Sequence, residues 1–140
     1  MTTALAPLER VAKLAAIATH LARETPAPEP FSMRLEPGTF SIAIQPGHSG
    51  DAVTEIGALL IWTHLLTGLK GEWWHTNSGR LHIELNGRGP SGARVSVYSS
   101  ISYTLARKHL ALRKGDHETV TPDELYLLAL EIAKQKGNDQ

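Results

Sequence analysis

The chain has 140 residues, 41% apolar and 20% charged, a composition that supports one globular domain of ordinary size rather than a disordered chain. Basic and acidic residues balance at 14 each, which argues against a dedicated nucleic-acid binder while leaving room for a local basic patch. Cysteine is absent, so disulfides, thiolate metal sites and a cysteine nucleophile are excluded. No secretory signal is expected, because Met1 to Lys13 has no basic n-region and Glu9 with Arg10 interrupts any apolar run. The longest apolar run, Ala58 to Trp62, is far short of the ~20 residues a membrane span needs. The expected compartment is the cytoplasm, with no membrane contact.

A first helix is expected from about Ala4 to Arg23. Leu8, Val11, Ala15 and Ala18 recur at helical spacing, and Leu14, Ile17 and Leu21 widen the stripe. Pro7 suits the first turn, where its missing N–H costs little. Thr25-Pro26-Ala27-Pro28-Glu29-Pro30 then stops the helix and makes a stiff spacer to the sheet. Phe31, Met33 and Leu35 alternate with polar residues, as do Phe40, Ile42 and Ile44. Period two marks strands with one buried face, and Pro37-Gly38 between them predicts a hairpin.

After the loop Pro46-Gly47-His48-Ser49-Gly50, in which Ser49 is the expected cap, a helix is expected from Asp51 to Thr67, ending before Gly68. Ile56, Leu59, Leu60, Ile61, Trp62, Leu65 and Leu66 leave it almost no polar face. Such a helix needs cover on more than one side, from the sheet and a second helix or from a subunit interface. Three strands follow, at about 72–76, 80–86 and 93–100. Tyr103 to Lys114 reads as a short basic helix. In the last helix Thr121 is the cap, Pro122 takes the first position and Glu124 completes a capping box, with Leu125, Leu128, Ala129 and Ile132 on the core face. The order α-β-β-α-β-β-β-(α)-α predicts a single α+β domain over residues 1–140. Its expected frame is a five-stranded, mostly antiparallel sheet with helices packed on the one face that carries Phe31, Ile42, Ile83 and Val95.

Histidine is the one over-represented reactive type, with seven copies. His75 and His82 flank Asn77-Ser78-Gly79. A two-residue turn sets them opposite each other, whereas a three-residue loop with Gly79 left-handed sets Trp74 opposite His82. With Glu84 they would make the donors of a metal enzyme or small hydrolase, yet no His-x-x-x-His spacing occurs on an expected helix. His64 reads as an interior or interface group. The His48-Ser49 pair lacks a nucleophile elbow and an acid to orient the base. The loop Gly87 to Gly92 resembles an anion cradle, but it has no Walker lysine, loses a donor at Pro90 and precedes a strand, so it reads as a hairpin loop. No catalytic, cofactor-binding or metal residue is assigned.

Arg107, Lys108, His109, Arg113 and Lys114 form the dense basic cluster. Arg34, Arg80, His82 and Arg94 on the wet sheet face, with Tyr98 for stacking, would extend it into a phosphate-contacting stripe. No nucleic-acid motif matches, and a solvated charged face is the simpler reading. Trp73 and Trp74 point to opposite sides of their strand, so one fills the core and the other is left over. Tyr126, Leu127 and Leu130 lie off the core stripe of the last helix and make a second apolar flank. Together with Trp62 and Trp74 they form the expected protein interface. The favoured reading is a non-catalytic interaction or adaptor domain, acting as a homodimer or on a protein partner. The alternatives are a nucleic-acid-associated regulator using Arg80, Arg94, Arg107, Lys108, Arg113 and Lys114, and a histidine-dependent hydrolase or metal enzyme. The favoured reading rests on surplus apolar surface and fails if Trp62, Trp74, Leu127 and Leu130 are all inside.

Overall fold

Apolar alternation builds one sheet, and among the described residues the helices cover one of its faces. The computed structural model describes residues 7–26, 30–47 and 51–138. In chain order the elements are α1 (Pro7–Glu24), β1 (Ser32–Glu36), β2 (Ser41–Gln45), α2 (Ala52–Trp62), β3 (Thr67–His75), β4 (Arg80–Arg88), β5 (Arg94–Ser102), α3 (Tyr103–Ala106), β6 (His117–Val120) and α4 (Pro122–Asn138). Among the described residues six strands form a single sheet in the order β1-β2-β5-β4-β3-β6. Every neighbouring pair is antiparallel except β2 and β5. That parallel pair is reached through a long crossover, which here contains α2 and the β3–β4 hairpin.

The α+β class and the one-sided helix layer agree with the sequence. The sheet is one strand wider than expected, because His117-Glu118-Thr119-Val120 is too short for its alternation to register as a strand, and it is mixed through the parallel β2–β5 pair. The core face carries Ile42, Ile44, Trp73, Leu81, Ile83, Leu85, Val95 and Val97, all buried. α1 covers β1 and β2, while α2 lies on β5 and against α4. The two apolar sides of α2 are thus occupied within one chain, by β5 and α4, and Trp62 is only 3% exposed.

Several local expectations change. α1 is rotated so that Leu14, Ile17, Ala18 and Leu21 face inward while Leu8, Val11 and Ala15 are exposed, and residues 4–6 lie outside the described residues. Phe31 precedes β1 and is exposed, leaving Met33 and Leu35 to meet the core. Phe40 is not in a strand. It takes a left-handed φ of 49° and closes the turn by donating its N–H to the Pro37 carbonyl at 3.1 Å. Asp51, rather than Ser49, caps α2, its Oδ2 accepting the Thr54 N–H at 2.9 Å; His48 and Ser49 lie outside the described residues. α2 stops at Trp62, where the Thr63 hydroxyl donates to the Leu60 carbonyl at 2.8 Å. Gly68 therefore does not end a helix. Its φ of 61° serves a bulge near the start of β3, where the pairing with β4 slips between Thr67 and Lys70.

The basic segment is not a helix beyond the four residues of α3. The Tyr103 hydroxyl donates to the Leu110 carbonyl at 3.0 Å and accepts the Leu112 N–H at 2.8 Å. His75 stacks on the Tyr103 ring at 3.7 Å, and its Nδ1 lies 3.0 Å from the Leu112 carbonyl. The Leu110 N–H still bonds the Ala106 carbonyl at 3.0 Å, but beyond it these side chains take over the Leu110 carbonyl and the Leu112 backbone groups. Among the described residues no helix is long and apolar enough to cross a membrane.

Candidate functional site

Two surfaces of the molecule carry side chains in excess of what the fold consumes. The first lies on the helix layer. The α4 capping box closes as its spacing requires, with Thr121 N–H donating to Glu124 Oε1 at 3.0 Å and Glu124 N–H donating to Thr121 Oγ1 at 3.2 Å. With its start fixed there, the helix turns Leu125, Leu128 and Ile132 inward and leaves Tyr126 57%, Leu127 58% and Leu130 39% exposed. Beside Leu127 runs a groove of about 250 Å³ between α4, β6 and the loop after α3. Trp73, Leu110 and Leu128 supply its apolar wall, and Glu118, Glu124 and Glu131 bring carboxylates to it. Trp73 donates its indole N–H to Glu118 Oε1 at 3.0 Å, which ties β3 to β6 under the groove. β6 is the edge of the sheet, and His117, Glu118 and Thr119 are exposed along it.

The expected interface residues therefore divide. Tyr126, Leu127 and Leu130 share one surface. Trp62 is buried in the core and has no surface to offer. Trp74 lies on the far side of the sheet, and it is Trp73 that reaches the groove. Sequence reasoning missed Leu110, Glu118, Glu124 and Glu131 as a group. The seven-residue spacing of Glu124 and Glu131 was the legible signal that both share a helix face with Leu127 and Leu128.

The second surface is the uncovered face of the sheet. The three-residue loop with Gly79 at φ 80° sets Trp74 opposite His82 and His75 opposite Leu81. His75 and His82 thus face opposite sides of the sheet, and they do not form a metal site with Glu84. Four rings form a ladder across β6, β3, β4 and β5. His117 stacks on Trp74 at 4.9 Å, Trp74 meets His82 at 4.3 Å, and His82 stacks on Tyr98 at 6.0 Å. Both faces of Trp74 are thereby covered, so the ladder stitches the strands together and leaves no flat platform for a base. Glu72 stands directly opposite Glu84 beside this ladder and bonds the His117 ring.

Burial holds His82 below its ordinary value of 6.5, and burial followed by the Glu72 charge holds Glu84 above its ordinary 4.5. The two groups have opposite consequences. The His82 contribution to stability is present above pH 6.5 and is lost as the pH falls through the lowered value; the Glu84 contribution is present below pH 4.5 and is lost as the pH rises through the raised one. Thermal unfolding followed against pH should show Glu84→Gln gaining stability over the parent at neutral pH more than in acid. His82→Gln should flatten the decline below pH 6.5. Profiles that coincide with the parent's would contradict both assignments.

The expected basic stripe is broken. Arg107, Lys108, Arg113 and Lys114 are exposed around the loop after α3, and Arg80 is nearby but engaged, its guanidinium donating to Ser100 Oγ and to the Ser100 carbonyl at 2.8 and 2.7 Å. Arg94 begins β5 whereas the basic loop follows its end, eight residues or ~26 Å away. The Glu72–Glu84 pair stands between them. His64 is exposed just past α2 and meets none of these groups. Comparison with protein-family models, with curated proteins and with solved structures finds no match to this chain.

Proposed function

We propose that the protein is a non-catalytic interaction domain that docks an extended segment of a partner protein along β6 and into the groove beside α4. The observation that carries this reading is the exposure of Leu127, at 58%, next to a groove walled by Trp73, Leu110 and Leu128 and bordered by an open sheet edge. A leucine left in water beside an apolar depression gains from cover. A strand edge supplies backbone donors and acceptors, and the groove supplies a side-chain pocket, the two elements of recognition by strand addition.

Charge selects the occupant. Glu118 and Glu124, with Glu131 shared with Lys134 at 3.7 Å, outnumber His109 in the groove and favour a segment that carries lysine or arginine beside its apolar anchor. A second copy of the chain is the poorer fit. Pairing β6 with its twin about a two-fold axis sets Glu118 near its own copy, and opposed grooves set carboxylate against carboxylate. Selection of a random peptide library on the folded protein should therefore enrich sequences with one large apolar residue flanked by basic ones. Leu127→Glu should abolish that binding while changing stability by no more than about 0.5 kcal/mol, as exposed positions do. Enriched peptides that bind Leu127→Glu as tightly as the parent would remove the proposal. A stable dimer that Leu127→Glu converts to monomer would replace the partner segment with a second copy.

A further inference from the structure

The end of the open sheet face remote from α3 carries a concentration of positive charge that no carboxylate among the described residues neutralises. Arg88 and Arg94 stand directly opposite each other at the end of the β4–β5 ladder. One row further in, Lys70, Asn86 and Ser96 follow across β3, β4 and β5. Rows are ~6.6 Å apart and strands ~4.8 Å apart, so the three cations surround one patch within reach of their long side chains. They line a depression of about 480 Å³ together with Asn86, Ser96 and Ser41, and among the described residues no acidic one is in its walls.

Like charges directly opposite in an antiparallel ladder destabilise it. Elsewhere on the sheet, on β1, Arg34 is paired to Glu36 at 3.0 Å. Among the described residues Lys70, Arg88 and Arg94 have no acidic partner. Arg88 spends one N–H on the Gly92 carbonyl at 3.2 Å, which steadies the guanidinium without neutralising it. Ser96 donates to Asn86 Oδ1 at 2.6 Å, turning the amide so that its NH2 group is the part left to donate.

We infer that this depression is a binding site for a compact phosphate group, as on a small phosphomonoester. A dianion seated between Arg88 and Arg94 turns their repulsion into shared attraction, and the planar forks match phosphate oxygens two at a time. Lys70 adds a point charge from the next strand, and the Asn86 amide and the hydroxyls complete a neutral rim. The Glu72–Glu84 pair, one row beyond Lys70 and Asn86, limits the ligand's size. A nucleic-acid strand continuing along the face would have to carry its phosphates over those carboxylates, whereas a single phosphate stops short of them. The loop preceding Arg94 thus serves an anion through side chains, not through the glycine backbone.

Inorganic phosphate titrated into the full chain at constant ionic strength, followed by amide and arginine side-chain NMR, tests this. Saturable shifts centred on Lys70, Arg88 and Arg94 are expected, with affinity falling about tenfold or more in Arg88→Gln and in Arg94→Gln. Both variants should melt no lower than the parent, since each relieves the opposed charges, and phosphate should raise the melting temperature of the parent alone. If either variant folds poorly, Lys70→Gln, which faces no opposed cation, reads the same loss of affinity. Shifts that never saturate, or that spread over all lysines and arginines, overturn the site. A single-stranded oligonucleotide whose footprint crosses Glu72 and Glu84 to reach Arg107 to Lys114 overturns the compact ligand in favour of a strand.

Discussion

Gly71→Val is expected to melt on the order of 10 °C below the parent, although valine is a far better strand former than glycine. Gly71 lies on the core face of β3, opposite Leu85 on one side and Val120 on the other. A Cβ there would sit 2.7 Å from Leu85 Cδ2 and closer still to the Val120 carbonyl. The leucine can turn away, but the carbonyl belongs to the β3–β6 ladder and moves only if β6 moves. Overpacking typically costs ~1–3 kcal/mol, and a clash with backbone belongs at the top of that range or beyond it. The variant should also lose peptide binding, because the strand that closes the groove is the one displaced. A melting temperature unchanged from the parent's would mean that β6 does not lie against β3 at this register.

Trp73→Ala should cost about 3–5 kcal/mol in chemical denaturation, the range for removing a large aromatic from a core. Trp73 is only 2% exposed and holds Glu118 through its indole N–H, so truncation opens a cavity and unties β6 together. Against a total stability of ~5–15 kcal/mol, such a loss leaves a marginal fold. The adjacent residue gives the contrast. Trp74 is half-buried between two histidine rings, and Trp74→Ala should cost less, ~1 kcal/mol for the ring contacts added to the smaller area it buries. Equal losses at the two positions would contradict the assignment of faces.

Neighbouring tryptophans also show where the sequence stops being informative. Alternation requires that one point inward, but which one does so follows from the loop joining β3 to β4. A two-residue turn and a three-residue turn fit Asn77-Ser78-Gly79 alike, and the choice moves every side chain of β3 to the other face. The α4 start was legible because Thr121, Pro122 and Glu124 act on their own few residues. So were Tyr126, Leu127 and Leu130, since helical spacing alone puts them off the core stripe. β6 was not legible, being held by pairing with residues some 45 positions earlier in the chain. The end of α2 was masked in the same way: Leu65 and Leu66 continue an apolar run, while Thr63 and the bulge at Gly68 end the helix. For the site, the outer leucines could be read but the acidic residues around them could not. Glu118 joins Glu124 and Glu131 only when β6 is placed beside α4. The expected basic stripe failed for a related reason, since Arg94 and Arg107 are near in sequence yet are separated by the length of β5.

Docking along β6 is tested most directly by mapping amide hydrogen exchange in the full chain with and without a library-selected peptide. Slowed exchange confined to His117–Val120, with chemical-shift changes at Leu127 and Leu130, is the expected result. Slowed exchange on the open face around His82 and Tyr98, with β6 unaffected, would contradict it.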